Sequence, residues 1–132
     1  MHKNKLLNTA AIILCGGKGS RLGSLGEKKN KTLIKYRGHP LIYYIIRYLR
    51  KYKINNIIVP LGYRANEIQR YLNNNLLKKD LKIFNAGLNT NIKNRIKKSI
   101  NYLKNNTENV ILINGDSYYE FDLNKLINKK IN

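Results

Sequence analysis

Four short apolar runs, at residues 10–14, 57–61, 81–84 and 109–113, are separated by longer segments whose apolar residues recur at helical spacing. This alternation constrains the fold more than any other feature of the chain. Parallel strands need a crossover, commonly a helix, so strand–helix–strand repetition implies a parallel sheet with helices on both faces. Such crossovers are right-handed. If the second and third strands stack outward on one side of the first, the fourth goes to its other side. The winding then reverses between strands one and four, and open sheets of this class bind ligands beyond the carboxyl ends of their strands at that reversal. The two strand ends brought together run into a glycine loop after Cys15 and into Asn114-Gly115-Asp116.

The intervening segments are less uniform. Residues 16–35 form a long stretch with little periodicity, in which 32–34 read as a short extended piece. Gly38-His39-Pro40 punctuates the chain, with Pro40 placed for the first turn of a helix. Leu41, Ile42, Ile45, Ile46 and Leu49 then form an inward stripe opposite Arg47, Arg50 and Lys51. Tyr43, Tyr44, Tyr48 and Tyr52 flank that stripe and read as packing at a core edge, and His39 reads as a structural turn residue. A second helix over 65–72 turns Ile68, Tyr71 and Leu72 inward. After a polar turn at 85–90, a third helix carries Ile92, Ile96, Ile100 and Leu103 on one face, with Lys93, Lys97, Lys98 and Lys104 on a solvated face. Asp122 caps a last helix with Leu123, Leu126 and Ile127 inward.

A chain of 132 residues holds one domain with a real core, expected to span 1–132, and not two. No apolar run approaches the roughly 20 residues needed to cross a bilayer, and the basic start has no small-residue cleavage site. Cys15 is the only cysteine, so no intrachain disulfide forms. The expectation is a cytoplasmic protein without membrane contact. The net charge of +19 admits a nucleic-acid binder. The basic residues are spread through every segment, however, rather than gathered in one tract with aromatics between them. The charge therefore reads as compositional, and nucleic acid as an unlikely partner.

The crevice between strands one and four would hold a specific set of groups. Gly16, Gly17 and Gly19 leave the backbone free to approach a ligand, and free N–H groups in such a turn form an anion site. Arg21 adds a fork of donors suited to phosphate oxygens. Lys31 lies in the same basic stretch, and Asp116 is a hard carboxylate suited to Mg²⁺. Phosphoryl and nucleotidyl transfer depend on positioning and charge stabilisation by groups of this kind. Neither a Walker loop nor a dinucleotide fingerprint fits: Gly17-Lys18-Gly19-Ser20-Arg21-Leu22 lacks the third glycine and does not open directly into a helix. No paired-histidine metal motif and no Ser/His/Asp set is evident, and Cys15 reads as packing.

Taken together, Leu14-Cys15-Gly16-Gly17-Lys18-Gly19-Ser20-Arg21-Leu22, Lys31 and Gly38-His39-Pro40-Leu41-Ile42 resemble the opening of the sugar-1-phosphate nucleotidyltransferases. Leu61-Gly62-Tyr63-Arg64 and Asn114-Gly115-Asp116 are similar to later landmarks of that family. The resemblance implies a three-layer α/β, Rossmann-like nucleotide-diphospho-sugar transferase fold with a mostly parallel sheet. It implies attack of a sugar-1-phosphate on the α-phosphate of a nucleoside triphosphate, giving an NDP-sugar and pyrophosphate, with Mg²⁺ as cofactor. On this resemblance Leu14, Gly16, Gly17, Gly19, Ser20 and Gly115 match the nucleotide-holding positions. Arg21 and Lys31 match the residues that act on the triphosphate, and Asp116 matches the metal ligand.

Finer cues point two ways. Gly87-Leu88-Asn89-Thr90 followed by Arg95 resembles the glucose-1-phosphate cytidylyltransferases, which makes Thr90 and Arg95 candidate nucleotide contacts and favours a cytidylyl group. Asn114-Gly115-Asp116-Ser117-Tyr118 is closer to heptose-phosphate guanylyltransferases. Ser20 stands for the family's usual threonine, Asn30 for a proline, and residues 91–94 for a glycine-rich stretch. Family members are longer, and their second half supplies sugar contacts and another metal carboxylate. The chain therefore reads as the nucleotide-binding portion. A non-catalytic nucleotide-binding remnant and a basic nucleic-acid-binding domain are the competing readings, and a homo-oligomer is left open.

Overall fold

The computed structural model describes residues 6–15, 34–62, 65–73, 81–87, 90–115 and 122–128, the last three by their backbone alone. A four-stranded sheet is built from β1 (Thr9–Leu14), β4 (Asn56–Leu61), β5 (Leu81–Asn85) and β6 (Asn109–Asn114), in the order β5-β4-β1-β6. All three pairings are parallel. The expected reversal is therefore present: the chain steps outward from β1 to β4 to β5, then crosses back to place β6 on the other side of β1.

The register sorts the side chains onto two faces. Ala11, Ile57 and Leu81 are in register, as are Val59 and Ile83 one pleat further along β4 and β5. Ala11, Ile13, Ile57 and Val59 belong to the main core and half-buried Leu81 and Ile83 pack against it; helices α1 (Leu41–Lys51), α2 (Ala65–Asn73) and α4 (Leu123–Asn128) help to form this core through Ile42, Ile45, Ile46, Leu49, Ile68, Leu72 and Leu123. Each fully buried aliphatic side chain in this core contributes roughly 1.5–3 kcal/mol of transfer free energy. Helix α3 (Ile92–Ile100) packs against β4 and β1. It covers the other face, where Ile12 and Ile58 are buried. Helices on both faces of a parallel sheet make the three-layer arrangement expected from the alternation.

Three local expectations need correction. Pro40 is not in the first turn of α1 but precedes it, at φ −67° and ψ 156°. It pairs instead with Lys35 in an antiparallel hairpin of β2 (Lys35–Tyr36) and β3 (His39–Pro40), so His39, read as a turn residue, stands in a strand. Arg37 and Gly38, at φ 49° and 86°, supply the two positive-φ positions of a tight hairpin turn. The second correction concerns α3. Its expected inward stripe fails, because Ile92 and Ile100 are 57% and 53% exposed, Ser99 is fully buried, and Leu103 lies beyond the helix end. The small Ser99 side chain lets the helix sit close to the sheet, and its hydroxyl donates to the Arg95 carbonyl at 2.7 Å, so burial leaves it satisfied. Third, Lys98 is not simply solvated, because its ammonium donates to the Ala86 carbonyl at 2.8 Å. The edge strand β6 is half-buried on the face that carries Ile111 and Ile113, with Val110 and Leu112 at 42% and 51% exposure on the other.

Several expectations hold. Asp122 caps α4, its carboxylate accepting from the Asn124 amide at 2.9 Å. The tyrosines pack at the core edge: Tyr48 is buried, and Tyr43 and Tyr52 lie against the core cluster. Tyr43 also stacks on His39 at 3.9 Å between ring centroids. Burial pushes the Tyr71 phenol above its ordinary value, and the Tyr43 and Tyr44 phenols add to the effect. The expectations for 16–33, and for the Leu126 and Ile127 side chains, lie outside the described residues.

Candidate functional site

The carboxyl ends of β1 and β6 meet at the point where the winding reverses. Leu14 is in register with Asn114, and the Gly115 amide donates to the Leu14 carbonyl at 3.0 Å. The described strand ends that precede Gly16 and Asp116 in the sequence, Cys15 and Gly115, are therefore adjacent. Leu14 and Gly115, both expected at the site, are brought together there. Gly16, Gly17, Gly19, Ser20, Arg21, Lys31 and Asp116 lie outside the described residues.

The third strand end contributes the turn from Asn85 to Thr90. The Ala86 amide donates to the Leu61 carbonyl at 2.6 Å, which ties this turn to the carboxyl end of β4. Gly87 sits at φ +106°, and its amide donates to Asn85 Oδ1 at 2.9 Å. The Thr90 hydroxyl donates to the Ala86 carbonyl, the same oxygen that Lys98 reaches. Thr90 is thus placed by backbone contacts at the carboxyl edge of the sheet.

Helix α3 starts at that edge, with the Asn91 side chain accepting from the Asn94 amide at 2.8 Å. Its amino end directs a partial positive charge at the same region. Arg95, in the second turn, is half-buried and close enough to Cys15 for the two to interact electrostatically. Burial pulls the guanidinium below its ordinary value, and Cys15 opposes that shift. Guanidinium remains charged over any ordinary pH range. Arg95 therefore brings a partly desolvated cation to the end of β1, where an anionic ligand would repay the desolvation. Cys15 is buried in the core cluster, as expected of a packing residue.

Lys98 was missed because a lysine-rich face reads as solvated. Its spacing of one turn from Arg95 was the available signal, since both side chains then leave the same side of α3. Among the described residues no group of three or more His, Cys, Asp or Glu side chains could hold a metal ion, and no helix is long and apolar enough to cross a membrane. A cleft of about 320 Å³ lined by Thr9, Lys53, Asn56 and Lys104 opens at the amino edge of the sheet, the far side from Leu14 and Gly115.

Residues 10–132 match a family model described as nucleotidyl transferase. The chain is 34% identical over 123 residues to the D-glycero-alpha-D-manno-heptose 1-phosphate guanylyltransferase of Aneurinibacillus thermoaerophilus, covering 92% of this chain and 52% of the relative. It is 36% identical over 61 residues to the "Probable glucose-1-phosphate cytidylyltransferase" of Bacillus subtilis, covering 46% of this chain and 24% of that one. The crystal structure of HddC from Yersinia pseudotuberculosis complexed with GMP-PN superposes with a TM-score of 0.78 at 28% identity, covering 92% of this chain and 54% of that one. The chain spans about half the length of the curated relatives it matches.

Proposed function

Because the chain belongs to the nucleotidyl transferase family, within its sugar-1-phosphate nucleotidyltransferases, we propose that residues 1–132 form the nucleotide-binding portion of an enzyme joining a nucleotidyl group to a sugar-1-phosphate. The observation that carries this reading is the junction of β1 and β6, where Gly115 bonds Leu14 and two motif segments start side by side. The glycine loop and Ser20 hold the triphosphate, Arg21 neutralises it, and Lys31 supports the α-phosphate as the sugar phosphate oxygen attacks and pyrophosphate leaves. Charge stabilisation of this kind is the main contribution a protein makes to such transfers. Thr90 and Arg95 face the nucleotide from the β5 side.

Asp116 would hold Mg²⁺ beside the triphosphate, since its carboxylate is a hard oxygen ligand of the kind that ion takes. The ion would supply charge neutralisation at the triphosphate. The guanylyltransferase relative covers most of this chain and the cytidylyltransferase relative under half, which supports GTP ahead of CTP as the donor. A cytoplasmic site of action follows from the use of these substrates.

Thermal unfolding with GTP, CTP, UTP and dTTP in the presence of Mg²⁺ tests the reading. A ligand that binds only the folded state raises its apparent stability, so GTP or CTP should raise Tm and Arg21→Ala should remove the shift. Stabilisation by duplex DNA with a steep salt dependence, and none by any nucleotide, would sink the transferase reading.

A further inference from the structure

The turn between β5 and α3 decides what the Thr90 side chain has left to offer a ligand. The Ala86 carbonyl accepts from two donors, the Thr90 hydroxyl and the Lys98 ammonium, the latter at 2.8 Å. A carbonyl oxygen has two lone pairs and no proton, so both are taken and the hydroxyl is necessarily the donor. A threonine hydroxyl carries one proton. With that proton committed to Ala86, the Thr90 oxygen can only accept.

The surroundings hold this commitment in place. Ala86 is buried, and its amide is tied to the Leu61 carbonyl at 2.6 Å. The Thr90 amide donates to the Gly87 carbonyl at 3.4 Å, closing the turn on itself. Any Cβ at Gly87 would stand 2.6 Å from Thr90 Oγ1, so the backbone approaches the hydroxyl as closely as glycine allows. A hydroxyl fixed in this way does not rotate to suit whichever base arrives.

We propose that Thr90 is a specificity-determining residue that presents an acceptor-only oxygen to the base and so selects bases bearing an exocyclic amino group. Guanine and cytosine carry such a donor. Hypoxanthine lacks the amino group of guanine, and uracil has a carbonyl oxygen where cytosine has its amine. That oxygen would face the Thr90 oxygen as acceptor against acceptor. The inference rests on the reading of this edge as a nucleotide site, and it names the chemical feature by which that site chooses its donor.

The test is a set of dissociation constants for GTP, ITP, CTP and UTP with Mg²⁺, measured on the full chain as wild type, Thr90→Val and Thr90→Ser. In the wild type, GTP should bind more tightly than ITP, or CTP more tightly than UTP, by about fivefold, the ratio that one neutral hydrogen bond supplies. Thr90→Val should bring that ratio close to one, and Thr90→Ser, which keeps the hydroxyl, should preserve it. Equal affinities within both pairs in the wild type overturn the proposal, as does a preference that survives in Thr90→Val or vanishes in Thr90→Ser. Binding of none of the four nucleotides overturns the nucleotide-site reading itself, and the proposal with it.

Discussion

The Gly115 amide donates to the Leu14 carbonyl at 3.0 Å, at the last rung of the β1–β6 ladder. This contact fixes how far apart two motif segments begin. Gly115→Pro removes the donor and leaves a carbonyl without its partner, at a cost of about 1–3 kcal/mol. Nucleotide affinity should fall further in this variant than in a core variant of equal stability, such as one at Ile46. Denaturant titration paired with nucleotide binding separates the two effects. Equal loss of affinity in both variants would mean that the junction only supports the fold.

Helix α3 offers a direct check on its orientation. Ile100→Lys should change stability by no more than about 0.5 kcal/mol, as expected for an exposed site. Ser99→Leu should cost roughly 1–3 kcal/mol, because extra atoms must fit between the helix and the sheet. Urea denaturation of the two variants decides the matter. A severe loss from Ile100→Lys with a neutral Ser99→Leu would restore the stripe read from the sequence.

That helix also shows where sequence reading stopped. Strand number, parallel pairing, the reversal beside β1 and the burial of α1 and α2 were all legible, because each depends on the periodicity of many apolar residues at once. The orientation of α3 was not. Its apolar residues are few, and the sheet it covers accepts a small polar residue, Ser99, that satisfies itself on the helix backbone. The β2–β3 hairpin was missed because its turn places Arg37, a residue with no turn preference, at positive φ. At the carboxyl edge of the sheet, the sequence points to Leu14, Gly115, Thr90 and Arg95 but not to Lys98, whose ammonium reaches back to the Ala86 carbonyl.

Gly87 provides a test of the turn's tightness. Gly87→Ala places a methyl 2.6 Å from Thr90 Oγ1 on a backbone at φ +106°, and should cost more than about 1 kcal/mol. In a Thr90→Ala background the clash with the hydroxyl is gone and only the backbone strain remains, so the same change should cost less. A double-mutant cycle on stability measures the difference. Strict additivity would show that Gly87 and Thr90 do not press on one another.

Tyr71 sets a limit at alkaline pH. Its phenol is raised above 10.0 in the folded state, first by burial and then by Tyr43 and Tyr44. The folded form therefore holds this proton more tightly than the unfolded chain does. The stability it contributes is complete below pH 10 and is lost as the pH rises through the folded value. Tyr71→Phe should flatten the decline in stability above pH 10 relative to wild type and leave the neutral-pH slope unchanged. Parallel curves for the two proteins up to the most alkaline accessible pH would contradict this assignment.

The central claim is that a nucleoside triphosphate sits at the carboxyl edge of the sheet, between the ends of β1 and β6. Hydrogen exchange with and without saturating Mg²⁺–GTP or Mg²⁺–CTP reads that location directly. Amides that exchange by local opening should slow at Cys15, Ala86, Gly87 and Gly115, while those at 53–56 and 104–107, along the amino-edge cleft, should not. Slowing confined to the amino edge, with the β1–β6 junction unchanged, would contradict the account.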